Sequence, residues 1–177
     1  RIWKETHQDF DTSIWKSYLE ESPENAGKVA ATLENTDLEE LTFLDPCMGS
    51  GHILVYAFDV FMNLYASRGV GKRDAVRSII TKNIFGIDLD KRAWQLSYFA
   101  LKMKACQYDA NFLSRGIEPN VYYMQDMNLP EGAELTGELK IFAEQFKHAD
   151  VYGSLTPAKK ANESVIKQVE EYRDQLL

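Results

Sequence analysis

The sequence lacks any apolar run approaching the ~18 residues of a membrane span. Its longest such stretch, Ile53 to Tyr65, is interrupted by Asp59 and Asn63. No secretory signal pattern opens it, so no membrane partner and a cytoplasmic location are expected. Cysteine is scarce. Cys47 and Cys106 are the two cysteines in 177 residues, far apart and matching no zinc or redox spacing. Both are expected to be reduced core cysteines among apolar neighbours, and no metal site is expected. Internal repeats, low-complexity tracts and the dipeptide Pro-Pro are all absent. Basic residues are outnumbered, 20 Lys+Arg against 27 Asp+Glu, for a net charge of -7. Such a chain does not by itself offer the basic face that grips nucleic acid. What remains is a globular composition, 45% hydrophobic, 12% aromatic and 27% charged, which excludes a disordered or collagenous chain. The length fits one domain.

The acidity is uneven. Residues 1–41 hold four basic and ten acidic residues, residues 42–150 hold 12 and 13, and residues 151–177 hold four of each. The excess therefore sits on the amino-terminal flank, as a solvated face. The sequence opens at Arg1 rather than Met, and a piece of something longer is expected.

Helical pieces are expected in residues 1–40, broken at Pro23. Leu41 to Leu44 reads as a short buried strand halted by Asp45-Pro46. After Gly49-Ser50-Gly51 comes a long apolar helix from about His52 to Ser67, ended by Gly69 and Gly71. Lys72 to Thr81 is amphipathic, with Ala75, Val76, Ile79 and Ile80 on one face. Ile84 to Ile87 reads as a second buried strand, Lys91 to about Gln107 as a helix, and Val121 to Met124 as a third strand after a Gly116–Asn120 turn. Further helices are expected around Leu139 to Phe146 and from Pro157 to Leu177, separated by a Gly153-Ser154 break. Short buried strands alternating with helices imply an α/β fold with a parallel, Rossmann-like sheet.

Each of the three strands ends on an acid: Asp45, Asp88 and Asp126. Ligands of open α/β sheets lie beyond the carboxyl ends of the strands, so these acids converge on one edge. Between the first strand and its helix, glycines let the backbone approach a ligand, and the free N–H groups of the helix favour an anion. The spacing is neither the dinucleotide GxGxxG nor a phosphate loop. A carboxylate-bearing ligand fits better than a pyrophosphate. An acid in the position of Asp88 accepts hydrogen bonds from ribose, although it lies 39 positions after Gly49, against roughly 20 in the dinucleotide fingerprint. Asp126 is placed to receive the amine of an adenine ring, with Leu89 and Met127 lining the ring faces. Carboxylate, ribose and adenine together describe S-adenosylmethionine.

Phe43-Leu44-Asp45-Pro46-Cys47-Met48-Gly49-Ser50-Gly51-His52-Ile53-Leu54 resembles motif I of the adenine-specific DNA methyltransferases. Among these it is most similar to the large modification enzymes of BREX phage-defence systems and to fused type II restriction-modification proteins. Asn83 to Asp90 with Arg92-Ala93 resembles motif II, Tyr123-Met124-Gln125-Asp126 resembles motif III, and Phe146 to Leu155 is similar to the segment that follows motif III in the BREX branch. The resemblance implies a Rossmann-like class I methyltransferase fold over residues 41–155, between a helical flank (1–40) and a helical tail (156–177). It implies that Asp45, Pro46, Gly49, Ser50 and Gly51 hold the methionine end of S-adenosylmethionine, Asp88 and Leu89 the ribose and ring, and Asp126 and Met127 the adenine. His52 begins the helix and serves as a cap.

The family also carries an Asn/Asp-Pro-Pro-Tyr/Phe motif that holds a flipped adenine. With no Pro-Pro in the sequence, no catalytic residue is assigned, and the fold is expected to be truncated before that motif. The resemblance implies DNA as partner, through regions outside these residues, together with subunits of a defence or restriction system. Two other readings stay open from the residues alone. One is an RNA or small-molecule methyltransferase. The other is a non-catalytic module docking a partner through Trp3, Trp15 and Tyr18.

Overall fold

A computed structural model describes residues 37–125, 137–156 and 159–176, with side chains up to residue 169. The helices expected in residues 1–36, and the site candidates Asp126 and Met127, lie outside the described residues.

Three short strands form a parallel sheet in the order β1-β2-β3. They are β1 (Phe43–Asp45), β2 (Ile84–Asp88) and β3 (Asn120–Tyr123). Their register pairs Phe43 with Ile84, Asp45 with Gly86 and Asp88 with Tyr123. Parallel neighbours need a crossover, usually helical. Here α1 (His52–Ser67) and α2 (Lys72–Ser78) join β1 to β2, and α3 (Lys91–Tyr108) joins β2 to β3. Beyond β3 lie α4 (Gly137–Glu144), α5 (Ala149–Tyr152) and α6 (Glu163–Leu176). The strand–helix–helix–strand–helix–strand order expected from the sequence is the order found.

The core forms where α1 and α3 pack side by side on β2. From α1 it takes Leu54, Phe58, Phe61 and Tyr65, from α3 Leu101 and Ala105, and from the sheet Ile84 and Val121. Gly86 sits centrally in β2 because nothing larger fits. A Cβ there would lie 2.6 Å from Met48 Sδ and 2.7 Å from Leu54 Cδ1. Trp94 of α3 ties β3 to the helical layer, its Nε1 donating to the Val121 carbonyl at 2.9 Å while its ring stacks obliquely on Tyr123 at 5.1 Å.

Several boundaries depart from the sequence-based reading. The first strand runs over Phe43–Asp45, not Leu41–Leu44, so Asp45 belongs to the ladder itself. The helix expected over Lys72–Thr81 stops being α-helical at Ser78 and closes with a π-turn, Ile79–Asn83. That wider turn ends on Asn83, which is fully buried. Its Nδ2 donates to the carbonyls of Leu38 at 2.6 Å and Leu41 at 2.8 Å, and its Oδ1 accepts from Tyr65 Oη at 3.0 Å. Asn83 therefore fastens the approach to β1 onto α1, and burial raises the Tyr65 pKa. Three further short elements, the 3₁₀ turns Phe112–Arg115 and Gly153–Leu155 and the single-turn α5, depart from the loops and breaks expected there, and the last helix starts at Glu163 rather than Pro157. Contrary to expectation, Cys47 is exposed on the turn after β1 and Cys106 is half-buried.

At the far end of the helical layer, Tyr108 Oη donates to Asp59 Oδ1 at 2.7 Å, and Lys104 meets the same oxygen at 2.7 Å. Burial, and then the hydrogen bond to Asp59, push the Tyr108 pKa up to about 12. A tyrosine normally ionises near 10, so this group stabilises the fold fully below about pH 10 and loses that contribution as pH rises toward 12. Urea unfolding across this window should show the native chain losing more stability than Tyr108→Phe. At neutral pH the variant should be less stable by about 1 kcal/mol, the net contribution of one hydrogen bond.

Candidate ligand site at the carboxyl edge of the sheet

The turn after β1 is held by its neighbours rather than by its own side chains. Asp45 is buried, and its Oδ1 accepts from the Cys47 N–H at 3.1 Å. The Met48 N–H donates to the Ile87 carbonyl at 3.0 Å, which lays the turn along the end of β2. The Gly49 N–H donates to Asp88 Oδ2 at 2.8 Å, while Asp88 Oδ1 accepts from the Asp90 N–H at 2.9 Å. Asp88 therefore links the first strand's turn to the second strand's end. The backbone then reverses through two positive-φ glycines, Gly49 (φ 53) and Gly51 (φ 82), into α1.

Gly51 is also where α1 meets α3. A Cβ at this buried position would lie 2.5 Å from Ser97 Oγ and 3.0 Å from Ser97 Cα. Ser97 is itself fully buried, and its hydroxyl has no hydrogen-bond partner. Close contact here fixes the direction in which α1 points its amino terminus.

That terminus is electrostatically open. The first intrahelical bond at this end runs from the Val55 N–H to the Gly51 carbonyl. The N–H groups of His52, Ile53 and Leu54 thus have no helical carbonyl to meet. Gly51 supplies no side-chain cap, and the first turn holds no acid. His52, expected as a cap, does not act as one; the N-cap position is Gly51. By contrast α3, which begins at the same edge, is capped by Asp90, whose Oδ1 accepts from the Arg92 N–H at 2.7 Å. A helix start with free donors and a positive dipole end favours an anionic group.

Of the sequence candidates, the structure brings Asp45, Pro46, Gly49, Ser50, Gly51, Asp88 and Leu89 to one edge. Pro46 lies exposed, Gly49 and Ser50 half-buried. Leu89 is 48% exposed and packs against Gly153. Sequence reasoning missed Met48, Gly86, Ser97 and Gly153, none of which carries a chemical signature; their roles arise from close approach across distant parts of the chain. No group of three or more potential metal-binding side chains occurs among the described residues. No described helix is long and apolar enough to cross a membrane.

A cavity of about 540 Å³ lies elsewhere, lined by residues including Asp37, Glu39, Tyr65, Arg68 and Ser78. It sits at the opposite end of the strands, beside the approach to β1 and the end of α1. Glu39 there is already engaged by Ser78 Oγ at 2.9 Å and by Lys82, which lower its pKa. Parallel sheets bind ligands at the other edge, and that edge holds the open helix terminus.

No family model matches the chain. Two curated proteins do. The chain is 41% identical over 115 residues to the adenine-specific methyltransferase PglX of Lacticaseibacillus casei (strain Zhang), across 65% of the chain and 10% of that protein. It is 39% identical over 134 residues to the adenine-specific methyltransferase BrxX of Escherichia coli O9:H4 (strain HS), across 73% of the chain and 11% of that protein. The chain thus spans about a tenth of the length of these relatives. The chain is thus a homologue of one segment of the PglX and BrxX adenine-specific methyltransferases.

Proposed function

We propose that this chain is the methyl-donor-binding part of an adenine-N6 DNA methyltransferase of a phage-defence or restriction-modification system, built on a Rossmann-like class I methyltransferase fold. The observation that carries the reading is the 2.8 Å bond from the Gly49 N–H to Asp88 Oδ2. It joins an anion-accepting helix start and a diol-accepting carboxylate in one cradle. S-adenosylmethionine has matching parts: a carboxylate for the free N–H groups of α1 and a ribose for the remaining lone pairs of Asp88. Its rings would meet Leu89, with Asp126 and Met127 completing the adenine end. Gly51 could not carry a side chain without filling the approach to α3.

When bound, S-adenosylmethionine supplies an activated methyl group. The chain's own contribution is positional. The turn orients the amino-acid end through backbone donors, and Asp88 fixes the sugar and the turn together. Pre-paid orientation of this kind is a major source of rate in a two-substrate transfer. The adenine to be methylated is held by a Pro-Pro motif that these 177 residues do not contain. DNA contacts and defence-system partners are assigned to other regions, in keeping with the net charge of -7.

Titration calorimetry with S-adenosylhomocysteine tests the reading. Saturable one-to-one binding is expected. Gly51→Ala, strained at φ 82 and crowding Ser97, should weaken it about tenfold, the equivalent of 1–2 kcal/mol of backbone strain. Unaltered affinity in this variant would remove α1 from the site.

A further inference from the structure

The turn around Gly153 lies against the end of β2 and Leu89. Gly153 is buried and has φ 51 and ψ -127, a pairing that suits glycine at the first corner of a mirror-image turn. It abuts Leu89: a Cβ on Gly153 would lie 2.9 Å from Leu89 Cδ2 and 3.1 Å from Leu89 Cγ. The segment is a built element. The Tyr152 N–H donates to the His148 carbonyl at 3.0 Å, and the Thr156 N–H closes the 3₁₀ turn Gly153–Leu155 on the Gly153 carbonyl at 3.0 Å. It packs on β2 at the end that carries Asp88. Ala149 anchors it in the interior, while Val151, Tyr152 and Leu155 are 68%, 54% and 83% exposed. Exposed apolar residues on a turn that abuts a half-exposed leucine through Gly153 offer a surface suited to a flat apolar ligand group.

We propose that the Ala149–Leu155 turn is the ring-side wall of the methyl-donor site, with Gly153 as a positioning residue that braces Leu89 against the face of a purine. The inference rests on the methyl-donor reading above. The brace acts by pre-organisation: a leucine backed by the Gly153 main chain has fewer rotamers to lose when a ring settles on it. Only a residue without a Cβ allows that contact. The wall thus determines affinity at the purine end, leaving the amino-acid end to the turn after β1.

The test is calorimetry on the 177-residue chain with two ligands. S-adenosylhomocysteine has both ends, whereas 5′-methylthioadenosine keeps the purine and ribose but lacks the carboxylate. Gly153→Ala should weaken both by the same factor, about tenfold. Gly51→Ala should chiefly weaken the first, which separates the two ends in a way that general loosening of the fold would not. Leu89→Ala should weaken both, and adding Gly153→Ala to it should cost little more, since the two act through one contact. If Gly153→Ala binds both ligands like the native chain while Asp88→Ala does not, the wall is overturned and the site stands. If the native chain binds neither ligand, the site reading falls and the wall falls with it. Should Gly153→Ala fail to fold, Leu89→Ala carries the test, because Leu89 is half-exposed; native affinity for both ligands in that variant also overturns the proposal.

Discussion

Asp88→Ala should weaken S-adenosylhomocysteine binding about a hundredfold or more, because it removes two kinds of hydrogen bond at once. Charge-assisted hydrogen bonds contribute about 1.5–3 kcal/mol each. On the proposed reading, one set is lost directly, between the carboxylate and the ribose hydroxyls. The other is structural: Oδ2 holds the Gly49 N–H at 2.8 Å and Oδ1 holds the Asp90 N–H at 2.9 Å. Without them the turn after β1 loses its tie to β2, and the donors of α1 lose their alignment. Asp88→Asn separates the two contributions. Its amide oxygen can still accept from Gly49, so the turn should stay in place while the charge for the ribose is gone, giving an intermediate loss. Calorimetry on both variants measures this. Equal affinities for Asp88→Ala and the native chain would show that the carboxylate neither meets the ribose nor aligns the donors of α1.

Asn83→Ala is expected to destabilise the fold strongly, by about 3–5 kcal/mol. The side chain is fully buried and makes three hydrogen bonds, so its removal takes a partner from the Leu41 carbonyl and from the Tyr65 hydroxyl and leaves the Leu38 carbonyl with only the Leu41 N–H at 3.3 Å. Each buried group left without a partner costs about 1–3 kcal/mol. The Leu38–Leu41 approach should detach from α1, and β1 with it. Urea denaturation should show a large fall in midpoint, enough to threaten a domain whose total stability is about 5–15 kcal/mol. Asn83→Asp should be nearly as severe, because a carboxylate cannot donate to the two carbonyls. A loss below about 1 kcal/mol would mean that water replaces the amide without cost.

The parts of this fold that were readable in the sequence are those carried by local pattern. The α1 bounds, His52 to Ser67, follow from glycines at either side of a continuous apolar stretch. The strand and helix order follows from short apolar runs punctuated by Asp-Pro and Gly, and the acids at the ends of β1 and β2 follow from their position in those runs. What could not be read depends on contacts between distant segments. A π-turn in place of a final α-turn is set by the demand that Asn83 reach Leu38 and Leu41, over 40 positions away. The bond between Gly49 and Asp88 spans 39 positions, and motif spacing treats the two as separate features. Cys47 looked apolar in its sequence neighbourhood, yet the turn projects it outward while Met48 turns in to cover Gly86. Gly153 read as a break between helices, and only packing reveals that it abuts Leu89.

Relatives of which the matched segment is about a tenth share it at about 40% identity. They are named for methylation of adenine, and the cradle at Gly49, Gly51 and Asp88 is the physical reason to place the donor here. The most direct measurement is the backbone amide NMR spectrum of the chain during titration with S-adenosylhomocysteine. Saturable shifts are expected in Gly49, Ser50, His52 and Ile53, in Asp88 and Leu89, and in the turn at Gly153. The amides around Tyr65, Arg68 and Ser78, which line the cavity at the opposite end of the strands, should stay still. An unchanged spectrum, or shifts gathered around that opposite cavity instead, would contradict the placement of the donor site.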